Sequence, residues 1–366
     1  LFEILICLYF VVLCTECNTY RMGEKAMSKI EVSIYELKER MMCVFTRYGV
    51  PTDDAAIVVD SLLDAEICGV ESHGLMRVPA YADRLRAKLI DPKPQIRIQG
   101  EGAVLKVDGG NGLGQVVAQR AMQECVRWAK SQGCCFAAVS HSNHFGAVSY
   151  YTQMAAQKQM LGFACTSAGP TVAPFGGISN MLGTDPFSVA FPVKDAPAFV
   201  LDIAISSVAK GKIRLYEQEG KAIPEGWAID CYGNHTTDPT AAIAGSLLPI
   251  AGHKGYGMAL VVEALCALLS GAKLACETES MFKAGEPAQI GHFLGAIDIA
   301  HFLPPEEFEQ RARGWFDCLR SSPLQPGVDR ILIPGELEAQ RRSQVGNYLT
   351  IDKSTYQKLC ALDESR

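Results

Sequence analysis

The chain has no block of basic residues: 34 Lys and Arg against 40 Asp and Glu leave a net charge of −6. That balance offers nothing to attract a nucleic-acid backbone or an anionic membrane surface, so neither is expected as a partner. Repeats, low-complexity tracts and an obvious interdomain linker are also missing. Charged residues make up only 20% and hydrophobic residues 48%, a globular composition rather than a disordered one. At 366 residues the chain can form one large or two ordinary domains, each with a full core.

Cysteine is plentiful, with 14 residues, but the spacing of a metal cluster is lacking. The CxxC at Cys14 and Cys17 has no second pair to complete a site. Cys43, Cys165 and Cys266 fall singly inside apolar runs and are expected to behave as small buried hydrophobes. The Cys134-Cys135 doublet lies in a strand-like run, where neighbours point to opposite faces. A reducing, cytoplasmic compartment without a metal site follows. The sequon at Asn234-His235-Thr236 then carries no meaning.

Residues 4–14 (ILICLYFVVLC) look like a short signal-peptide core. They are too few to span a bilayer, and they lack an initiator Met, a basic flank and a small-residue cleavage site. Met27 opens a conventional soluble start. Residues 1–26 are therefore read as a non-native upstream segment, with a targeting segment as the alternative.

Ser33 and Glu36 form a capping box ahead of apolar residues at helical spacing, and a second helix is expected from about Asp53 to Cys68. From about residue 95 short apolar strands alternate with helices, which argues for an α/β layer. Residues 205–255 read as turns. An apolar helix, a strand (HFLGAIDI) and a charged helix follow.

The stretch VDGGNGLGQ, Val107 to Gln115, sits between a strand and a helix, where a dinucleotide pyrophosphate often binds. The G-x-G-x-x-G fingerprint fails, because Gln115 occupies the third glycine position. No carboxylate closes the next strand, which ends in His141-Ser142-Asn143. The turn is therefore read as a structural connection, with Asp108 and Asn111 as turn and cap residues.

Three constellations carry chemistry. His144 lies near the start of a helix expected from Gly146 to Met160, where the helix dipole disfavours the imidazolium; a neutral imidazole is the usual base for a hydroxyl proton. The alternative is that His144 and Asn143 only cap the helix. His141 and His144 could also ligate a metal, but no acidic or thiol ligand lies nearby. In ESHGLMR, a helix would put His73 and Arg77 on one face, with Gly74 allowing a ligand close approach. Arg77 could then grip a carboxylate while His73 exchanges a proton, although a surface pair is equally compatible. Asp202 ends an apolar run, where a carboxylate is costly unless bonded or functional. Lys254 stands among glycines before a helix, a position suited to an anion, without the full phosphate-loop spacing.

Taken in order, SHGLMRVPAYADRL, VDGGNGLGQ, SNHFGAVSYY, PFGGISNMLGTDPFSVAFP, VLDIA, AKGKI, IPEGWAID, TTDP and GHKGYGMALVVEAL resemble the malate/L-lactate dehydrogenase family of the second type, over about residues 28 to 345. That family includes ureidoglycolate, sulfolactate and 2,3-diketogulonate enzymes and cyclic imino-acid reductases. The resemblance implies hydride transfer between NAD or NADP and a small 2-hydroxy or 2-oxo acid, or alternatively a cyclic 2-imino acid such as piperideine-2-carboxylate. The hydride passes directly between carbons, so no metal is needed. The implied fold is a mixed-sheet, non-Rossmann α/β cofactor domain (96–255) with a helical substrate part (27–95). Residues 256–366 complete both, and the assembly is a homodimer.

Matched residue by residue, the resemblance assigns acid/base chemistry to His73 or His144 and the substrate carboxylate to Arg77, with Ser72 and Tyr81 nearby. It places Asp202, Ile203 and Ala204 on the nicotinamide side, with Asp202 fixing the catalytic histidine or the nicotinamide. Lys254 and Ala168 contact the cofactor, and Arg313, Gly335 and Glu336, within the run to Gln340, lie near the adenosine end. Two motifs depart from the family: Thr166-Ser167-Ala168-Gly169-Pro170 stands where many relatives carry TN-x-x-P, and Gly183-Thr184-Asp185-Pro186 where they carry GTNP. These departures leave the substrate and the choice between NAD and NADP open, and Arg313 is free to meet a 2′-phosphate or a neighbouring Glu.

Overall fold

Strand β1 (Lys29–Ser33) hands over at Ser33 to helix α1 (Ile34–Arg47), where the Ser33 hydroxyl accepts the Glu36 amide at 3.2 Å. The expected capping box is half realised, because the Glu36 carboxylate turns to Arg40 and Tyr356 instead. In this computed structural model residues 29–278 and 285–364 are described; the leader, with Cys14 and Cys17, lies outside them. Helix α2 (Thr52–Ile67) is followed by two single 3₁₀ turns, Glu71–His73 and Leu75–Arg77, and by helix α3 (Val78–Arg86).

Strands and helices then alternate as the sequence texture predicts: β2 (Arg97–Glu101), β3 (Val104–Asp108), α4 (Gly114–Gln132), β4 (Cys134–Ser142), α5 (Ser149–Ala156), β5 (Met160–Thr166), β6 (Phe187–Phe191) and β7 (Phe199–Ile203). The turn-like region holds more structure than expected, namely α6 (Lys210–Gln218), β8 (Ala228–Ile229), α7 (Pro239–Ala244) and β9 (Ser246–Leu247). Helix α6 buries only Ile213, so it has no apolar stripe to reveal it. Helix α8 (His253–Glu263) runs into a π turn, Ala264–Leu268. Strand β10 (Ile290–Asp298), helices α9 (Pro305–Arg320) and α10 (Glu336–Gln344), strand β11 (Tyr348–Asp352) and helix α11 (Lys353–Glu364) complete the chain.

Seven strands form one sheet in the order β2-β3-β4-β10-β5-β6-β7. The β3–β4 pair is parallel and the other neighbours are antiparallel, so the protein has the mixed α/β sheet that was expected. Strand β10, from late in the chain, lies between β4 and β5. Helices α4 and α5 cover one face, burying Val117, Met122 and Tyr151 against Val107, Ala137 and Leu294. On the other face Cys165 packs against Val262 and Cys266 of α8 and its π turn; the adjacent Ala164 belongs to the first core, as strand alternation requires.

A separate core joins α1, α2, α3 and α11 to the β1–β11 pair, so the first and last described segments meet there, and Leu113 and Val116 at the start of α4 reach into it. Cys165 and Cys266 are buried as expected, whereas Cys43 is exposed because it falls on the outer face of α1. Among the described residues no helix is long and apolar enough to cross a membrane.

Candidate active site

The expected helical face shared by His73 and Arg77 does not form. Gly74, at φ −94° and ψ −139°, breaks the segment into two 3₁₀ turns. The break lets Arg77 Nε reach back to the Ser72 carbonyl at 2.5 Å, while the Ser72 hydroxyl meets His73 Nδ1 at 2.9 Å. Gly74 packs against a neighbouring side chain. A Cβ there would stand 2.0 Å from Glu66 Oε2, so the glycine makes room for a carboxylate from α2.

The second histidine arrives from the opposite direction. His144 precedes α5 by several residues, because that helix begins at Ser149 and not at Gly146. Its ring stacks on His73 with centroids 5.5 Å apart, and its Nδ1 meets the Tyr81 hydroxyl at 2.7 Å. Gln115 Nε2 donates to the same hydroxyl at 2.9 Å. Tyr81 therefore has its one proton left for His144 Nδ1, which also faces the Gly146 amide at 3.4 Å. With Nδ1 accepting, the proton of the neutral ring sits on Nε2.

The glycine turn builds this arrangement. Gly109 N and Asn111 N donate to Ser140 O and His141 O, and Asn143 Nδ2 returns a bond to Gly112 O at 2.8 Å. Asn143 is thus tied to the turn instead of capping a helix. Gln115, the residue that spoils the dinucleotide fingerprint, is the one that reaches Tyr81. A Cβ on Gly114 would lie 2.1 Å from Asn143 O and 2.6 Å from His144 O. Gly114→Ala is accordingly expected to cost about 1–3 kcal/mol and to lower turnover; an unchanged melting temperature and kcat would refute this packing role.

Burial and the Arg77 charge pull His73 down to about 4. Burial acts likewise on His144, helped by Arg77 and His73, and holds it well below the usual histidine range. Both rings are neutral at pH 7, and burial rather than a helix dipole is the leading cause. Burial also pushes Tyr81 up to about 12, so it keeps its proton. Behind the site, His292 is fully buried, stacks on Phe145 and bonds Thr166 and Ser142, each at 2.8 Å. Sequence reasoning missed it; both its nitrogens are engaged, and it is a structural histidine. His141 is exposed and faces Asp108 at 3.0 Å, away from the partners of His144.

The remaining sequence-predicted residues each have surroundings of their own. Asp202, on edge strand β7, is exposed and not buried as its apolar context suggests; its carboxylate accepts the first amide of α5, Ser149 N, at 2.7 Å. Ile203 ends that strand and Ala204 follows it. Ala168 N donates to the buried Asp185 at 3.3 Å. Lys254 is exposed in the first turn of α8. Arg313 is taken by Asp317 and by Asp195 O, and the neighbouring Glu weighed for it is not its partner. Gly335 adopts φ +96° against Val200 and opens α10, where Glu336 bonds Arg320 at 2.5 Å.

A family model described as malate/L-lactate dehydrogenase matches residues 32–360. The chain belongs to the malate/L-lactate dehydrogenase family. Malate dehydrogenase from Pyrococcus horikoshii is 41% identical over 302 residues, covering 80% of this chain and 83% of that protein. The solved sulfolactate dehydrogenase of Methanocaldococcus jannaschii superposes with a TM-score of 0.87 at 36% identity, covering 91% of this chain and 96% of the other. The Δ1-piperideine-2-carboxylate reductase of Pseudomonas syringae pv. tomato superposes with a TM-score of 0.82 at 26% identity, covering 91% and 99%. Family members named for NAD(+) and for NADP(+) both occur among the matches. The resemblance carried by the sequence motifs is thereby shown.

Proposed function

We propose that this member of the malate/L-lactate dehydrogenase family transfers a hydride between NAD or NADP and a small 2-hydroxy or 2-oxo acid at the cluster of Arg77, His73 and His144. The observation that carries the reading is the meeting of two neutral histidines and a guanidinium, brought from separate segments, at one half-buried place. Arg77 offers the planar fork that grips a carboxylate. His144 presents Nε2–H to the adjacent oxygen, with Tyr81 and Gln115 fixing its orientation. His73, backed by Ser72, closes the other side. In reduction the substrate oxygen takes the Nε2 proton of His144 as Tyr81 passes its own proton to Nδ1, and Tyr81 regains a proton from solvent on product release; in oxidation the same transfers run backwards. The bound nicotinamide supplies or accepts the hydride.

The chain's own residues fit such a cofactor. A pocket of about 430 Å³ is lined by Pro197, Ile331 and Ala339 together with Arg320, Arg330 and Glu336, which combines apolar walls with polar groups as an adenosine site requires. Glu336 was read from the resemblance; Arg320 and Arg330 were not, and they are cations for the phosphate-bearing end. We place the nicotinamide toward Asp202, Ile203, Ala204 and Ala168, with Lys254 on a phosphate. The near-absence of parallel pairing in the sheet supports a non-Rossmann binding mode. The two cores, one around 27–95 with the chain's end and one on the sheet, support the two-part domain division. The exposed apolar side chains of Leu260, Val261, Leu268 and Leu269 support a homodimer.

The substrate is inferred to be dianionic, resembling malate or sulfolactate. Burial lowers the Arg77 pKa, Tyr81 opposes this and the Arg214 charge on α6 adds to it, while Lys210 is lowered by burial and by Arg214. Arg214→Ala is expected to raise KM roughly tenfold for dicarboxylates and to leave monocarboxylates unchanged; equal effects on both would remove Arg214 from substrate selection. The test of the whole reading is oxidation of NADH and NADPH by the purified chain across a panel of 2-oxo acids and cyclic 2-imino acids. Turnover with oxaloacetate-like acids supports it. Turnover with cyclic imines alone would favour the reductase chemistry, and no turnover with no cofactor binding would reject it.

A further inference from the structure

We propose that Glu66 is a positioning residue for the reaction: seated against Gly74 and bonded to the Leu75 amide, its carboxylate sets the offset between His73 and Arg77. The proposal rests on those two residues forming the substrate site. The segment that carries them has little internal structure to hold it, being two 3₁₀ turns whose bonds are His73 N to Val70 O, Gly74 N to Glu71 O and Arg77 N to Gly74 O. At the joint between the turns the Leu75 amide has no backbone acceptor in either turn, and Glu66 Oε2 takes it at 3.0 Å. The same oxygen fills the space that a side chain at position 74 would need, with Glu66 Cδ and Cβ 3.1 and 3.3 Å from an ideal Cβ. The glycine of the SHG motif and an acid on α2 thus form one joint, and Gly74→Ala would break it from the other side.

The charge environment gives this joint a pH dependence. Burial pushes the Glu66 carboxyl up to about 7; the Leu75 amide opposes this, Glu71 adds to it, and Lys29 on β1 opposes it. From α10, Arg341 reaches the Cys68 carbonyl and Arg342 reaches Asp64, so the neighbouring cations are engaged two residues from Glu66 on either side. Neither histidine of the site titrates near neutrality. A neutral-range limb in the rate profile of the free enzyme would ordinarily be given to a histidine; here it belongs to Glu66. The ionised carboxylate holds the Leu75 amide more strongly than the acid does, so kcat/KM rises with pH through this limb.

The deciding experiment compares the wild type, Glu66→Gln and Glu66→Ala over about pH 5 to 8, recording kcat and KM separately together with melting curves. Glutamine keeps an acceptor but cannot ionise, so the limb near 7 should vanish and kcat/KM should stay at the wild type's low-pH level throughout. Alanine should lower kcat/KM about tenfold, mainly through KM, since the Arg77 offset is lost. The elevated carboxyl pKa stabilises the fold at low pH and loses that contribution as pH rises toward 7. The melting temperature of wild type relative to Glu66→Gln should therefore fall over the same range, whether or not turnover is measurable. A limb that persists in Glu66→Gln, a flat wild-type profile, or a melting difference that does not change with pH overturns the proposal. Failure of the site reading is a different result, namely full activity in a His73→Ala variant.

Discussion

His144→Asn is expected to lower kcat by about 10²–10⁴-fold with either nicotinamide cofactor, with a much smaller change in KM. The expectation follows from where the ring proton sits. His144 Nδ1 accepts from Tyr81, whose oxygen in turn accepts from Gln115, so Nε2–H is the face left for substrate. An asparagine side chain is too short to bond Tyr81 and still reach the same point. Because burial keeps the ring neutral, the loss should be similar from about pH 6 to 8 and should show no histidine titration of its own. Tyr81→Phe makes the complementary test: it removes the proton that fixes the tautomer but leaves the ring in place, and should cost about tenfold in kcat. A His144→Asn enzyme within a few-fold of wild type would transfer the proton role to His73.

The same burial has a consequence for stability. His73 is held at about 4 in the fold, below the value of about 6.5 for an exposed imidazole. The fold therefore binds fewer protons than the unfolded chain across that interval, and stability is lost as pH falls from about 6.5 toward 4. His292, pulled down by burial to about 3, adds to the loss in the same direction.

The sequence made some of this legible and concealed the rest for identifiable reasons. Strand alternation and helix spacing showed the α/β layer, because each of those segments carries its own period. The joining of β1 to β11 and the placing of β10 between β4 and β5 carry no local signal, since pairing partners far apart in the chain leave no trace in either strand. His73, Arg77 and His144 were visible as unusual side chains beside glycines. Their meeting was not visible, because it depends on two bends, at Gly74 and ahead of Ser149, that periodicity took for continuous helix. Gln115 shows the limit most clearly: as a motif position it counted only as a missing glycine, and its contact with Tyr81 requires α3 and α4 to pack. Glu66 resembled an ordinary polar residue on a helix until the empty side of Gly74 was seen to face it.

Arg77→Lys is the other substitution with a large expected effect, and its sign separates a substrate role from a structural one. The guanidinium spends Nε on the Ser72 carbonyl, so it is on the side of its terminal nitrogens that a carboxylate would be met. A lysine keeps the charge but has a single ammonium, so it can satisfy Ser72 or the substrate and not both in the same geometry. Loss of one charged hydrogen bond is worth about 1.5–3 kcal/mol, so KM should rise roughly 10- to 100-fold. Part of the effect should appear in kcat, since a carboxylate held at one point lets the reacting carbon swing. Burial and the Arg214 charge lower the Arg77 pKa, with Tyr81 opposing them, so the charged guanidinium gains from a bound anion. The prediction that follows is specific: adding guanidinium ion to Arg77→Ala should restore part of the activity, because the small cation can re-enter the space and pair with the carboxylate. An Arg77→Lys enzyme with unchanged KM and kcat, or an Arg77→Ala enzyme indifferent to guanidinium, would mean that the arginine only braces the Ser72 turn.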